Sequence, residues 1–217
     1  MADNVVENFL SPAEIVASAP SLPSQKTRSI YLFVRRVLDV TLSAVLMVIF
    51  LPVFTAIVLW IQLDSPGPPF FRQVRVGRRG SAFTILKFRT MVTQAPIYSY
   101  KVPISDARIT RAGRWLRRSG FDELPQLWNV FRGDMSLIGP RPELPFIVAH
   151  YDGWNHPRHS LRPGITGWWQ IHHRNEVPMH LNLEYDVYYV EHLSPRLDWQ
   201  IVRATIGLMA KGAVKRR

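Results

Sequence analysis

Apolar and polar positions are unevenly distributed along this chain, and the pattern changes several times. Residues 1–29 set Pro12, Pro20 and Pro23 among small and polar residues, which predicts a poorly ordered tail with a short helical turn near residues 13–17. Residues 37–61, VLDVTLSAVLMVIFLPVFTAIVLWI, then form an apolar run whose one ionisable residue is Asp39. No small-x-small pattern follows it, so cleavage as a signal peptide is not expected. The run is long enough for a bilayer, which takes about 20 apolar residues. Pro52, near its middle, removes a backbone donor and predicts a kink. The carbonyls freed there need a partner, such as Ser43 or Thr55.

DSPGPP (64–69) breaks the pattern. FFRQVRV and AFTILKFR, separated by GRRGS, alternate apolar with polar residues and predict a β-hairpin presenting Arg72, Arg75, Lys87 and Arg89 outward. Residues 92–106 read as a loop. ARITRAGRWLRRSG spaces Ile109, Trp115 and Leu116 helically with arginines between them, a basic amphipathic helix ending at Gly120. A further helix is expected from near Asp122, whose acid suits a first turn. SLIGPRP is a short extended piece entering a rigid turn, PELPFIVAHYDGW begins another helix, and RPGITGWWQIHHRN is loop and short strand. HLNLEYDVYYVEHL and LDWQIVRATIGLMAKG complete the chain as amphipathic helices, with Trp199, Ile201, Ile206, Leu208 and Met209 available for a core or a membrane surface. There is no internal repeat. The expected class is α/β of the α+β kind, helix-rich with a small antiparallel sheet.

Charge changes this picture in two ways. The chain carries a formal net charge of +11 and a pI near 10.5, which implies an acidic partner: nucleic acid, anionic lipid or a phosphorylated small molecule. Basic residues also flank the apolar run on both sides, Lys26, Arg28, Arg35 and Arg36 before it and Arg72, Arg75, Arg78 and Arg79 after it. A straight span would leave one basic flank on the disfavoured face of a membrane, whereas a helix bent at Pro52 keeps both on one side. The residues by themselves leave both arrangements open. Asp39, one turn from Arg35 and Arg36, is expected to form an ion pair at headgroup level. Cysteine is absent, which excludes disulfides and thiolate metal sites.

Against this basic background, GFDELPQLWNVFRGDMSLIGPRPE (120–143) sets two acids side by side. Adjacent carboxylates supply a nucleophile and a base, or ligands for a hard cation such as Mg²⁺. Arg117, Arg118, Arg132 and Arg141 lie close in sequence, and guanidinium forks suit phosphoryl oxygens. Phosphoryl transfer needs both: a group to attack phosphorus and fixed positive charge for its oxygens. Taken alone, an Asp-Glu pair at a helix start is ordinarily a dipole complement.

Taken together, RRVLDV, DSPGPPFFRQVRVGRRGSAFTILKFRTM, DARITRAGRWLRRSGFDELPQLWNV, the SLIGPRPE stretch, RPGITGWWQ and YDVYYV closely resemble the bacterial sugar transferase family, the monotopic phosphoglycosyl transferases, over about residues 30–210. The resemblance implies an enzyme of the cytoplasmic face of the bacterial inner membrane. A tail (1–29) would precede a re-entrant membrane helix broken at Pro52 (30–63) and a cytoplasmic catalytic domain with interfacial helices (64–217). It implies transfer of a sugar-1-phosphate from a UDP-sugar to undecaprenyl phosphate with release of UMP, the first membrane step of glycan biosynthesis. Asp122 matches the family nucleophile, and Glu123 its partner, tied to Mg²⁺; both are implied metal ligands. Arg141 matches the phosphate-binding arginine, with Arg118, Lys87 and Arg89 as further phosphate contacts by position. Anionic lipids are implied partners, nucleic acid is not, and a homodimer is compatible with the scheme. Leu51 stands where the family often has serine before the proline, Phe121 where it has leucine, and WWQIHHRN adds bulk and two histidines.

Other features read blandly. His172 and His173 match no zinc spacing and suit a loop or ligand edge. The arginine-rich helix lacks a nucleic-acid reader motif, and VGRRG is no dinucleotide or Walker fingerprint. Trp168, Trp169, Trp199, Tyr188 and Tyr189 fit either a core or a membrane interface. A membrane-anchored scaffold that binds anionic ligands, or a phosphohydrolase working through an aspartyl-phosphate, are the competing functions.

Overall fold

The computed structural model describes residues 25–95, 105–149, 156–172 and 182–212. The expected tail before residue 25, most of the 92–106 loop and His173 fall outside them. Helix α1 (Gln25–Ile49) begins inside the segment read as tail. It is followed by α2 (Leu51–Asp64), the hairpin β1 (Phe70–Val76) and β2 (Ala82–Phe88), and α3 (Arg111–Ser119). Next come α4 (Gln126–Arg132), β3 (Ser136–Ile138), α5 (Pro145–Val148), β4 (Gly164–Thr166) and α6 (Trp168–His172). Helices α7 (Glu184–Glu191) and α8 (Pro195–Gly212) close the order.

Helix α1 is inside out. Arg35, Asp39 and Ser43, at i, i+4 and i+8, are its buried positions, while Phe33, Val34, Val37, Leu38, Leu42, Val45 and Val48 face outward. The polar stripe grips the rest of the protein. Arg35 donates to Ser136 Oγ and the Ile138 carbonyl and lies 3.5 Å from Asp198, and Asp39 Oδ1 accepts the Leu137 N–H at 3.0 Å. Asp39 thus anchors β3, where a headgroup-level pair with Arg35 or Arg36 was expected.

The chain breaks at Phe50, and α2 leaves at 62° to α1. Pro52 sits in the first turn of α2, where a missing N–H is tolerated. Thr55 bonds the Leu51 carbonyl beside the break, whereas Ser43 bonds Val40, away from it. No single described helix is long and apolar enough to cross a membrane, but the bent pair passes that test together. On its inner face α2 packs Ile57 and Ile61 against Phe88, Ala112 and Leu116. Asp64 accepts the Ala112 N–H at 2.9 Å and, with the N-cap Thr110, holds the start of α3.

The hairpin forms where it was expected, in antiparallel register from Phe70↔Phe88 to Val76↔Ala82, but its faces differ from the expected alternation, since Gln73 and Arg89 are buried and Val74 is exposed. A second, parallel pair joins β3 to β4, Ser136↔Gly164 and Ile138↔Thr166. Asn129 of α4 ties the hairpin to this layer, accepting from Leu86 N and donating to Thr84 O. A smaller buried cluster, Ile85, Val130 and Met135, fills the space beneath the hairpin, and a larger one lies between α6, α7 and α8 around Trp168, Tyr189, Leu193 and Ile201. Trp168, Trp169 and Tyr189 are therefore core residues, while Trp199 stays exposed on α8.

Where α3 crosses the exit of β2 its backbone comes close, and a Cβ built on Gly113 would lie 2.0 Å from the Thr90 carbonyl. Gly113→Ala is expected to lose about 1–3 kcal/mol from overpacking, despite a helix-propensity gain of about 1 kcal/mol. Gly207→Ala, where a Cβ meets nothing within 4 Å, should be neutral or stabilising. Paired thermal melts of the two variants check this contrast.

Candidate active site

The acids occupy a connection rather than a helix start. Helix α3 ends at Ser119, Gly120 turns into the left-handed region at φ 80°, and Phe121–Glu123 form one 3₁₀ turn. A continuous helix from Asp122 would need residue 125 to donate to the Phe121 carbonyl. Pro125 has no N–H, so Leu124 N takes that carbonyl at 3.2 Å, and α4 starts only at Gln126. The expected helix start at Asp122 is corrected accordingly. The tight turn presents both carboxylates toward the hairpin and the segment after β3.

Two cations meet Glu123 there. Lys87 Nζ, carried by β2, lies 2.6 Å from Glu123 Oε1, and Arg141 Nη2, in the Gly-Pro-Arg-Pro turn, lies 3.8 Å from the same oxygen. A shallow cleft is lined by Lys87, Glu123 and Arg141 with Arg75, Gln126, Pro142 and Ile165. Burial works to raise the Glu123 pKa, but the charges of Lys87 and Arg141 overcome it and hold this carboxyl low, near 2. Asp122 goes the other way. Burial, reinforced by the Glu123 charge, pushes it up from its ordinary 3.8 to about 6 against the opposing pull of Lys87 and Arg117. One acid of the dyad is thus held as an anion, and the other is the more basic carboxylate.

Four of the six residues singled out in the sequence come together: Asp122, Glu123, Lys87 and Arg141. The other two are placed elsewhere. Arg89 is buried and donates to the Ser65 and Pro66 carbonyls and to Ser65 Oγ, shaping the DSPGPP break. Arg118 is exposed on α3, and it is Arg117, bonded to Thr90 Oγ1 at 2.9 Å, whose charge acts on Asp122. Arg132 pairs with Asp134 at 3.7 Å. Sequence reasoning named Arg117 without choosing it, and gave Arg75, whose charge lowers Glu123, no role at the dyad. The turn from Gly120 to Asp122 decides between Arg117 and Arg118, and spacing alone does not encode that turn. His172 belongs to α6, where a loop was expected, with Nδ1 2.8 Å from the Trp168 carbonyl and its ring against Trp168.

The dyad offers the donor chemistry that Mg²⁺ takes, one or two carboxylates with water and phosphate completing the shell. Among the described residues no group of three or more His, Cys, Asp or Glu side chains converges, so a cage built wholly from protein ligands is not present there.

Residues 30–212 match the family described as bacterial sugar transferase. The chain is 38% identical over 190 residues to the UDP-N-acetylgalactosamine-undecaprenyl-phosphate N-acetylgalactosaminephosphotransferase of Aeromonas hydrophila, covering 84% of this chain and 45% of that protein. It is 37% identical over 193 residues to the UDP-glucose:undecaprenyl-phosphate glucose-1-phosphate transferase of Escherichia coli K12, covering 82% of this chain and 41% of that one. The uncharacterized sugar transferase EpsL of Bacillus subtilis matches at 38% over 175 residues, 81% of this chain and 86% of EpsL. The chain therefore spans less than half of the two larger relatives and most of the small one.

The raised Asp122 pKa has a consequence for stability. The folded protein holds this proton more tightly than the unfolded chain does, so the group's contribution is full below about pH 4 and is lost as pH rises through about 6. Asp122→Asn, neutral at every pH, should be more stable than the parent by on the order of 2 kcal/mol at pH 7.5. The difference should vanish near pH 4, as read from denaturation midpoints at the two pH values.

Proposed function

Because the chain belongs to the bacterial sugar transferase family, we propose that it transfers a sugar-1-phosphate from a UDP-sugar to undecaprenyl phosphate, releasing UMP, through a phospho-sugar carried on Asp122. The observation that supports this most is the division of labour in the dyad. Asp122, raised to about 6, is the more basic oxygen nucleophile, and Glu123 is held as an anion by Lys87 and Arg141. An Asp122 oxygen attacks the sugar-bearing phosphorus, the bond to the bridging oxygen breaks, and UMP departs with that oxygen. A phosphate oxygen of the lipid then attacks the acyl-phosphate, forming the polyprenyl diphosphate sugar and returning the Asp122 carboxylate. Splitting the exchange lets both substrates use one site in turn. Lys87, Arg141 and Arg117 lower the repulsion between an anionic nucleophile and a diphosphate. Mg²⁺, held by Asp122 and Glu123, would supply further charge neutralisation at the phosphoryl oxygens.

The bent pair suits a re-entrant anchor. If both arms slope equally, a 62° bend and a 14-residue α2 put the Phe50–Pro52 apex about 10 Å deep, well short of a roughly 30 Å hydrocarbon core. The outward apolar residues run along both arms and include the apex, where Val48 is 74% exposed, Leu51 63% and Ile49 61%. Trp60, Trp115, Trp128 and Trp199 are exposed on α2, α3, α4 and α8, as suits rings at a headgroup level. The +11 charge favours anionic lipids and a cytoplasmic placement at the bacterial inner membrane.

Two outcomes are expected. With UDP-glucose, UDP-galactose or UDP-N-acetylgalactosamine, Mg²⁺ and undecaprenyl phosphate, UMP release beyond one equivalent per enzyme should require the lipid, and turnover should fall at least about 10³-fold in Asp122→Asn. Release of inorganic phosphate would instead indicate a phosphohydrolase, and silence with every UDP-sugar a binding scaffold. The lack of native cysteine makes a second measurement clean: Lys26→Cys and Arg72→Cys should both be labelled from the cytoplasmic side of sealed vesicles. Labelling from opposite sides would mean a straight span.

A further inference from the structure

The Gly-Pro-Arg-Pro turn that carries Arg141 poses a problem of anchorage. Pro140 and Pro142 have no N–H, so this stretch must be held largely through its carbonyls. Every carbonyl from Pro140 to Glu143 has a donor. Gly164 N reaches Pro140 O at 2.9 Å, Arg158 Nη2 reaches Arg141 O at 2.6 Å, Arg75 Nη1 reaches Pro142 O at 3.1 Å, and Val76 N reaches Glu143 O at 2.9 Å.

The Arg158 bond stands out by its support. Arg158 is 1% exposed, and the same Nη2 lies 2.7 Å from Asp186 Oδ2 on α7, itself 0% exposed. One nitrogen with two hydrogens thus joins a buried carboxylate to the main chain of the residue whose guanidinium approaches Glu123. A charge buried this deeply is retained only when it is paired, and Asp186 pairs it. A lysine ammonium sits on a shorter, flexible stem without the planar group that aims Nη2, so it does not reproduce the position from which both contacts are made.

We infer that Arg158, held by Asp186, is a positioning residue for Arg141: it fixes the Arg141 main chain so that the guanidinium stands over the acidic dyad. This inference rests on reading Arg141 as a phosphate-binding group of the transferase. A pair serving only to fasten the 157–160 turn to α7 would matter equally whatever residue stood at 141. The positioning role makes the effect depend on Arg141.

A double-mutant cycle on the full-length protein in membranes separates the two, with kcat/KM for whichever of the three UDP-sugars above turns over. Arg158→Lys is expected to lower kcat/KM about 10- to 100-fold, the scale of a displaced substrate-positioning group. In an Arg141→Ala background the same change should cost less than about 2-fold. Asp186→Asn, which keeps shape and removes charge, should follow the same pattern at smaller amplitude. Losses that multiply in the double variants, an unchanged kcat/KM in Arg158→Lys, or failure of both Arg158→Lys and Asp186→Asn to accumulate folded would overturn the inference and leave a structural ion pair. Arg141→Ala measured alone keeps the underlying reading separate. Full activity there would remove Arg141 from the transferase site, whereas a crippled Arg141→Ala with multiplying losses would remove only the link to Arg158.

Discussion

The polar stripe of α1 is the constraint on which the rest of the structure depends. A helix that is apolar around most of its circumference has no strong hydrophobic preference for which face turns inward. Arg35, Asp39 and Ser43 supply that preference, because buried polar groups must find partners and only one rotation provides them. The partners come from distant parts of the chain. Asp198 of α8 receives Arg35 together with the hydroxyls of Tyr31 and Tyr189, and β3 receives Arg35 and Asp39 through its backbone and Ser136. The apolar segment is thereby registered directly against the strand that leads into the Arg141 turn.

The acidic site follows from that registration. Lys87 arrives from the hairpin, Arg141 from the end of β3, and the dyad from a turn that Gly120 and Pro125 prevent from becoming helix. Two neighbouring acids in so small a space would ordinarily behave alike. They differ because Lys87 and Arg141 both face the Glu123 carboxylate, while burial dominates at Asp122. Position relative to two cations, rather than residue type, sets how tightly each holds a proton.

Much of this could be read from the residues. Alternation marked the hairpin, the five arginines spaced around Ile109, Trp115 and Leu116 marked α3 and its stop at Gly120, and Pro52 marked the break. Other parts could not be read. β3 and β4 have three residues each, too short for any periodicity, and their pairing joins segments whose order alone suggests no contact. The inverted face of α1 was hidden because Arg35 and Asp39 read as membrane-flanking charges; their buried partners, Ser136 and Asp198, lie about a hundred residues or more away. Arg89 shared the sequence context of Lys87, yet two residues on, just past the end of β2, it meets the Ser65 and Pro66 carbonyls instead of the cleft. Arg158 and Asp186 gave no signal, since a buried pair 28 residues apart looks like two ordinary surface charges.

The seam between β3 and β4 carries a different lesson. Gly139, Gly164 and Gly167 meet backbone to backbone, so that a Cβ on Gly164 would lie 2.1 Å from Gly139 N and one on Gly167 2.1 Å from Gly139 O. No side chain of any size fits there. Any sequence that keeps this fold while changing what surrounds the cleft has to leave that buried seam bare and vary on the walls beside it.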